Sequence, residues 1–212
     1  VFITLEGIEG CGKSTHLRLL SEWLEGQGVA HSVTREPGGT LIGANIRRLL
    51  LNSHDEEIDP LCELLLYLAD RRQHVARLLE PGLSKGELIL CDRYTDATLA
   101  YQGYGRGLSL AMLRQLNGLA TGGLTPDLTL LFDCAPEDGL ARARRRADDL
   151  AQGEWREDRF ELEEIEFHRR VRAGYLELAR EEPGRISIID SAPPLAEVQA
   201  AAVQVLAQRL GL

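Results

Sequence analysis

Residues Glu6 to Thr15 read Glu-Gly-Ile-Glu-Gly-Cys-Gly-Lys-Ser-Thr. Within them Gly7, Ile8, Glu9, Gly10, Cys11, Gly12, Lys13 and Ser14 form the pattern G-x-x-x-x-G-K-S, and Thr15 follows. Glycines let a backbone curl until its N–H groups point at phosphate oxygens. A helix starting behind such a loop adds its positive end. Lys13 can then reach the β- and γ-phosphates of a nucleoside triphosphate, and the Ser14 hydroxyl can ligate Mg²⁺. A plain turn between a strand and a helix also uses glycine, but here motif and context agree. An apolar run at 1–5 precedes the loop and an amphipathic stretch follows it.

A second carboxylate suits the same ion. The apolar run 88–91 ends in Asp92, the usual place for a carboxylate held near Mg²⁺. Asp133, after the run 128–132, is the competing candidate. The continuation Asp92-Arg93-Tyr94 favours Asp92. Arg93 would stand at the carboxyl edge of a sheet, where ligands bind in open α/β folds. Its planar guanidinium can bridge donor and acceptor phosphates. The alternative is an arginine that merely pairs with Asp92.

Such residues need an α/β frame. Strands are expected at 2–5, 31–35, 88–91, 128–132 and 186–189. Helices are expected at 13–26, 42–51, 60–79, 109–121, 136–147, 161–181 and 195–210. Apolar strands alternating with amphipathic helices imply a five-stranded parallel sheet covered on both faces. Asp59-Pro60 reads as an N-cap with proline at the first helical position. Pro81-Gly82 is expected to end that helix. The charged segment 144–159, broken by Gly153, reads as a mobile lid between two helices.

The bulk numbers narrow the function. The chain has 212 residues, enough for one domain with a full core. Its net charge of −9 disfavours binding to a nucleic-acid polymer. No apolar run approaches the roughly 20 residues that span a bilayer. The first strand-like stretch is too short for a signal peptide, and the initial Val implies processing or trimming. Cys11, Cys62, Cys91 and Cys134 form no C-x-x-C pair, which points to reduced thiols, a cytoplasmic location and no zinc site. Lys13 and Lys85 are the only lysines, and neither lies in the N-K-x-D context of a GTPase. A nucleic-acid motor would be longer and more basic. A small kinase fits best.

Longer blocks then identify a family. Thr34-Arg35-Glu36-Pro37-Gly38-Gly39-Thr40, Asp92-Arg93-Tyr94 and Ala100-Tyr101-Gln102-Gly103 resemble the bacterial thymidylate kinases, P-loop nucleoside monophosphate kinases. The resemblance continues through Asp70-Arg71-Arg72, Pro126-Asp127-Leu128-Thr129, Asp158-Arg159-Phe160-Glu161 and the Ile189-Asp190 end. It implies transfer of a phosphoryl group from ATP to dTMP, with Mg²⁺, in a homodimer. For the dimer, Leu61, Leu64, Leu65 and Leu68 can supply apolar surface, or equally core.

By the same resemblance, Tyr67 stacks on thymine. Arg71, one turn on, holds the monophosphate or the thymine edge. Thr98 and Gln102 read that edge, with Tyr101 beside them, while Ala97 departs from the hydroxyl residue of many relatives. Arg35 and Pro37 shape the acceptor wall, and Arg47 matches a base-contacting arginine. Glu9 faces the acceptor sugar or a metal-bound water, and Tyr175 lies near that sugar. The loop carries no arginine, so a lid arginine is expected to act in its place. Arg146 matches best and Arg159 second. Such groups are worth about 10³–10⁵ in rate elsewhere. Arg142 is expected against adenine. Two other readings stay open: a deoxynucleoside kinase or other monophosphate kinase, and an ATP-dependent binding protein without phosphotransfer.

Overall fold

A computed structural model describes residues 1–51, 57–149, 159–160 and 163–212, leaving aside the side chains of 146–149. Five strands form one parallel sheet in the order β2-β3-β1-β4-β5. They are β1 (Phe2–Glu6), β2 (His31–Arg35), β3 (Leu88–Asp92), β4 (Leu128–Asp133) and β5 (Ile186–Asp190). Four of the five run one residue beyond their apolar cores, each onto a carboxylate. Alternation sends their side chains to two faces. Ile3, Leu5, Leu88 and Leu90 join one core with Leu17, Leu20 and Leu24 of α1 (Lys13–Gly26). Phe2, Ile89 and Cys91 join another with Val75, Leu79 and Tyr94. Helices therefore cover both faces, as the apolar strands require.

The strand order reverses between β3 and β1. In α/β sheets the crevice at that reversal, outside the carboxyl ends of the strands, is where ligands bind. The register pairs Leu5 with Asp92, so both strands end at the same level.

The helix from Pro60 starts as its sequence dictates. The Asp59 carboxylate accepts from the N–H groups of Leu61 and Cys62 at 2.9 and 3.1 Å, with proline in the first turn. Its end differs from expectation. α3 (Pro60–His74) passes through a π-helical turn, Val75–Leu79, into α4 (Glu80–Ser84). Pro81 therefore does not stop the helix. It stands at the start of α4, where no N–H is required of it, and Glu80 N–H bonds the Val75 carbonyl across the wide turn.

A second helix was not expected at all. α5 (Thr95–Thr98) continues as a π-helical segment, Leu99–Gly105, carrying Tyr101 and Gln102. The remaining helices are α2 (Leu41–Leu51), α6 (Leu110–Thr121), α7 (Pro136–Asp149), α8 (Ile165–Glu181) and α9 (Leu195–Leu210). Residues 144–149 thus extend α7 instead of opening a loose lid, and 150–158 lie outside the described residues. Among the described residues no helix is long and apolar enough to cross a membrane.

Candidate active site

The loop after β1 owes its shape to three glycines. Gly7, Gly10 and Gly12 have φ of 136°, 68° and 96°, which L side chains rarely adopt. A Cβ on Gly10 would also stand 1.8 Å from the Gly139 carbonyl oxygen of α7. Gly10 is needed for that approach, and Gly139, which sequence reasoning passed over, is its counterpart. Ile8 and Cys11 are buried behind the loop. Lys13 is folded onto it: the ammonium donates to the carbonyls of Gly7 and Ile8, both at 2.8 Å, and to Cys11 Sγ at 3.4 Å.

Ser14 and Asp92 come together across the reversal point. Ser14 Oγ donates to Asp92 Oδ2 at 3.3 Å, and Asp92 Oδ1 is buried without a hydrogen-bond partner. Asp133 is committed elsewhere, to a two-pronged pair with Arg172 at 2.7 and 2.8 Å. A hydroxyl and an orphaned carboxylate oxygen suit a hard divalent cation. Among the described residues no cluster of three or more His, Cys, Asp or Glu could cage a metal alone. Such an ion would take its other oxygens from phosphates and water, as Mg²⁺ does.

Beside this loop opens a cleft of about 230 Å³. Its wall holds Glu9, Gly10, Gly12, Lys13, Ser14 and Thr15 on the loop side. Arg35, Pro37, Arg47, Tyr67, Arg71, Asp92, Arg93, Thr98, Tyr101 and Gln102 line the rest, with Glu36, Ala97 and Phe160. Lys13 and Arg93 therefore share one cleft. Arg93 has φ 68°, unlike any other non-glycine residue among those described. Its guanidinium donates from Nη2 to Glu9 Oε1 at 3.0 Å and from Nη1 to Tyr175 Oη at 3.2 Å, over the Tyr101 ring at 4.8 Å. Two of its five N–H donors are so used, and the rest are available to anionic oxygens.

Arg71 is built differently. It is 2% exposed, with Nε on Glu36, Nη1 on Thr98 and Asn117, and Nη2 on the Tyr94 carbonyl, all at 2.7–2.8 Å. Four of its five N–H groups are committed, and Glu36 balances its charge. Glu36 also meets His74 Nδ1 at 2.7 Å. Arg71 thus braces the wall it lines and keeps one Nη2 N–H in hand. Gln102 is similarly tied, donating from Nε2 to Glu63 Oε1 at 2.8 Å. A carboxylate only accepts, so Glu63 fixes which end of the Gln102 amide turns away from it. Glu63, fully buried and unnoticed in the sequence, also binds Arg106 and Arg159. Arg159 stacks on Phe160 at 4.6 Å. Burial raises the Tyr67 phenol above its ordinary range, so the ring stays neutral.

Several expected residues lie off the cleft wall. Tyr175 stands behind Arg93, its hydroxyl donating to Glu6 Oε2 at 2.7 Å. Arg142, on the exposed side of α7, donates to the Ser191 carbonyl at 3.3 Å. The Arg146 side chain lies outside the described residues.

Glu9 is the electrostatic pivot. It accepts from Tyr101 Oη at 2.6 Å, and Oε2 lies 3.3 Å from Nδ1 of the fully buried His168. Burial alone would raise its carboxyl. His168, Arg93, Lys13 and Tyr101 together outweigh burial and hold it at about 2. The folded value lies below the ordinary 4.5, so the ionised form favours the fold. That contribution is complete above about pH 4.5 and disappears as pH falls towards about 2. In urea titrations, the stability advantage of the native chain over Glu9→Gln should shrink across that window. An advantage that does not change with pH there would contradict the assignment.

A family model described as "Thymidylate kinase" matches residues 5–202. The chain is 49% identical over 212 residues to the thymidylate kinase of Trichlorobacter lovleyi, covering 100% of this chain and 99% of that one. It is 52% identical over 212 residues to that of a Synechococcus strain, covering 100% and 97%. Among solved structures it is similar to the crystal structure of thymidylate kinase from Ehrlichia chaffeensis, with a TM-score of 0.75, 34% identity and 97% coverage of each chain. With these relatives matched from end to end, the five-stranded parallel sheet is a P-loop NTPase fold, and the chain belongs to the thymidylate kinase family.

Proposed function

We propose that this chain transfers the γ-phosphoryl group of ATP to dTMP, giving ADP and dTDP for DNA precursor supply. The observation that carries this reading is the shared cleft: a phosphate loop with Lys13 on one side and Arg93 on the other. The chain acts as one catalytic unit with its lid. ATP phosphates lie on the loop N–H groups, and Lys13 moves from the Gly7 and Ile8 carbonyls onto them. Tyr67 stacks on the base, with Thr98, Gln102, Arg47 and the last N–H of Arg71 at its edge. Arg35 and Pro37 bound the acceptor side. Arg93 bridges the two phosphate groups, and a phosphate oxygen of dTMP attacks in line.

Ser14 and Asp92 would hold Mg²⁺, which neutralises charge on the triphosphate. A further arginine, Arg146 near the end of α7 or Arg159, adds to that neutralisation. Arg142 lies towards adenine. Free thiols, including exposed Cys62, suit a cytoplasmic location.

No general base is required, because a monophosphate is already ionised near neutral pH. A nucleoside kinase would need one to deprotonate a sugar hydroxyl. Glu9, held at about 2, is a poor proton acceptor at pH 7. That favours the monophosphate over the nucleoside. ADP formation should therefore appear with dTMP and not with thymidine. Arg93→Ala should lower kcat by about 10²- to 10³-fold, the scale for losing one charge-stabilising donor. Equal turnover of thymidine, or full activity of Arg93→Ala, would reject the reading.

The partner of the exposed leucines is, in this reading, a second copy of the chain. Leu61 and Leu65 on α3 are 47% and 54% exposed, whereas Leu64 and Leu68 belong to the core. Leu119 on α6, a helix packed against α3, is 78% exposed. Sedimentation at micromolar concentration should give a dimer, and Leu61→Glu with Leu65→Glu a monomer. A native monomer would refute this.

A further inference from the structure

Glu6 is the last residue of β1 and is fully buried, and it is not part of the cleft wall. Both of its oxygens nevertheless bond groups that adjoin or touch Arg93. Oε1 accepts from the Tyr94 backbone N–H at 2.7 Å, the peptide immediately after Arg93. Oε2 accepts from the Tyr175 hydroxyl at 2.7 Å, and that hydroxyl accepts from Arg93 Nη1 at 3.2 Å. The Arg93 N–H itself donates to the Leu5 carbonyl at 3.0 Å. The last two residues of β1 thus hold the peptides on both sides of a backbone turned to φ 68°. Left-handed backbone at a non-glycine residue persists only where its surroundings fix it.

We infer that Glu6 is a positioning residue for phosphoryl transfer, holding Arg93 by its backbone directly and by its guanidinium through Tyr175. The inference rests on the reading of Arg93 as the group that bridges the two phosphates. Burying a carboxylate is costly unless its oxygens are satisfied, so a strand end with no such duty would be cheaper as an apolar residue. Burial, with nearby Asp96, pushes the Glu6 carboxyl up to about 7, against the pull of Arg93, Tyr175 and the Tyr94 N–H. Tyr175 is the intermediate link: its phenol touches Glu6 and Arg93 and lines no part of the cleft.

The test is a kinetic cycle on the full chain with ATP and dTMP, with thermal melts beside it. Tyr175→Phe removes the hydroxyl link and keeps the ring. It should lower kcat by about tenfold or more, on the scale of a misplaced catalytic group. KM for ATP and the melting temperature should stay near native. Glu6→Gln keeps one carbonyl acceptor and should retain part of the activity that Glu6→Ala loses. In an Arg93→Ala background, adding Tyr175→Phe should change kcat by less than about twofold, because coupled residues are not additive. The same fold-loss in both backgrounds would overturn the inference. So would a damaging Arg93→Ala beside a harmless Tyr175→Phe. A harmless Arg93→Ala would overturn both this inference and the reading beneath it. If Glu6→Ala does not fold, Glu6→Gln in the native and Arg93→Ala backgrounds carries the test: a loss of kcat in the first and less than about twofold change in the second supports the inference, and equal losses overturn it.

Discussion

Arg93 leaves β3 with φ 68°, and the site is arranged around keeping it there. Two parallel strands ending at one level make this possible, because the end of β1 can hold the end of β3. Leu5 takes the Arg93 N–H, and Glu6 takes the next one. Glu9 and Tyr175 then aim the guanidinium into the cleft from two sides. Phosphoryl transfer leaves little covalent work to the protein. Placing positive charge correctly is most of the task.

Two arginines, Arg71 buried and Arg93 partly exposed, line this cleft and do different work. Arg71 has spent nearly all of its donors on protein partners, and Glu36 neutralises it. Removing one member of such a pair leaves a stranded charge and costs about 3–5 kcal/mol. Arg71 therefore serves as a strut for the wall that carries Thr98 and the Arg35–Pro37 loop. Arg93 spends two of its five donors on protein partners, Glu9 and Tyr175. The same residue type becomes a brace or a clamp according to how many of its N–H groups the fold consumes. Behind the loop, the contact between Gly10 and Gly139 ties the phosphate cradle to the first turn of α7. The start of α7 is thus seated on the glycine loop itself.

Much of this was legible in the sequence because it was local. The phosphate loop is a contiguous spacing, and the strands are contiguous apolar runs. Asp59-Pro60 announced a cap that formed as written. Other features depend on partners far along the chain. Glu6 looks like an ordinary strand end until Tyr175, 169 residues away, is folded beside it. Glu63 looks like a helix-surface charge until Gln102, Arg106 and Arg159 converge on it. Pro81 suggested a stop because the rule for proline assumes an α-helical turn, and a π turn precedes it here. The helix through Tyr101 and Gln102 was missed because glycines at 103 and 105 break its pattern. Those glycines make room for Leu110 and Phe167, whose side chains would meet a Cβ at 2.5 and 2.7 Å.

The central claim is that Arg93 spans the two anionic ligands while Lys13 holds one of them. A crystal structure of the chain with dTMP and a non-hydrolysable ATP analogue tests it most directly. The account predicts Arg93 N–H groups on oxygens of both ligands, the left-handed backbone unchanged, and the Lys13 ammonium moved from the loop carbonyls to the triphosphate. A ternary complex with Arg93 bonded to Glu9 and Tyr175 alone, and the acceptor phosphate held elsewhere, would contradict it.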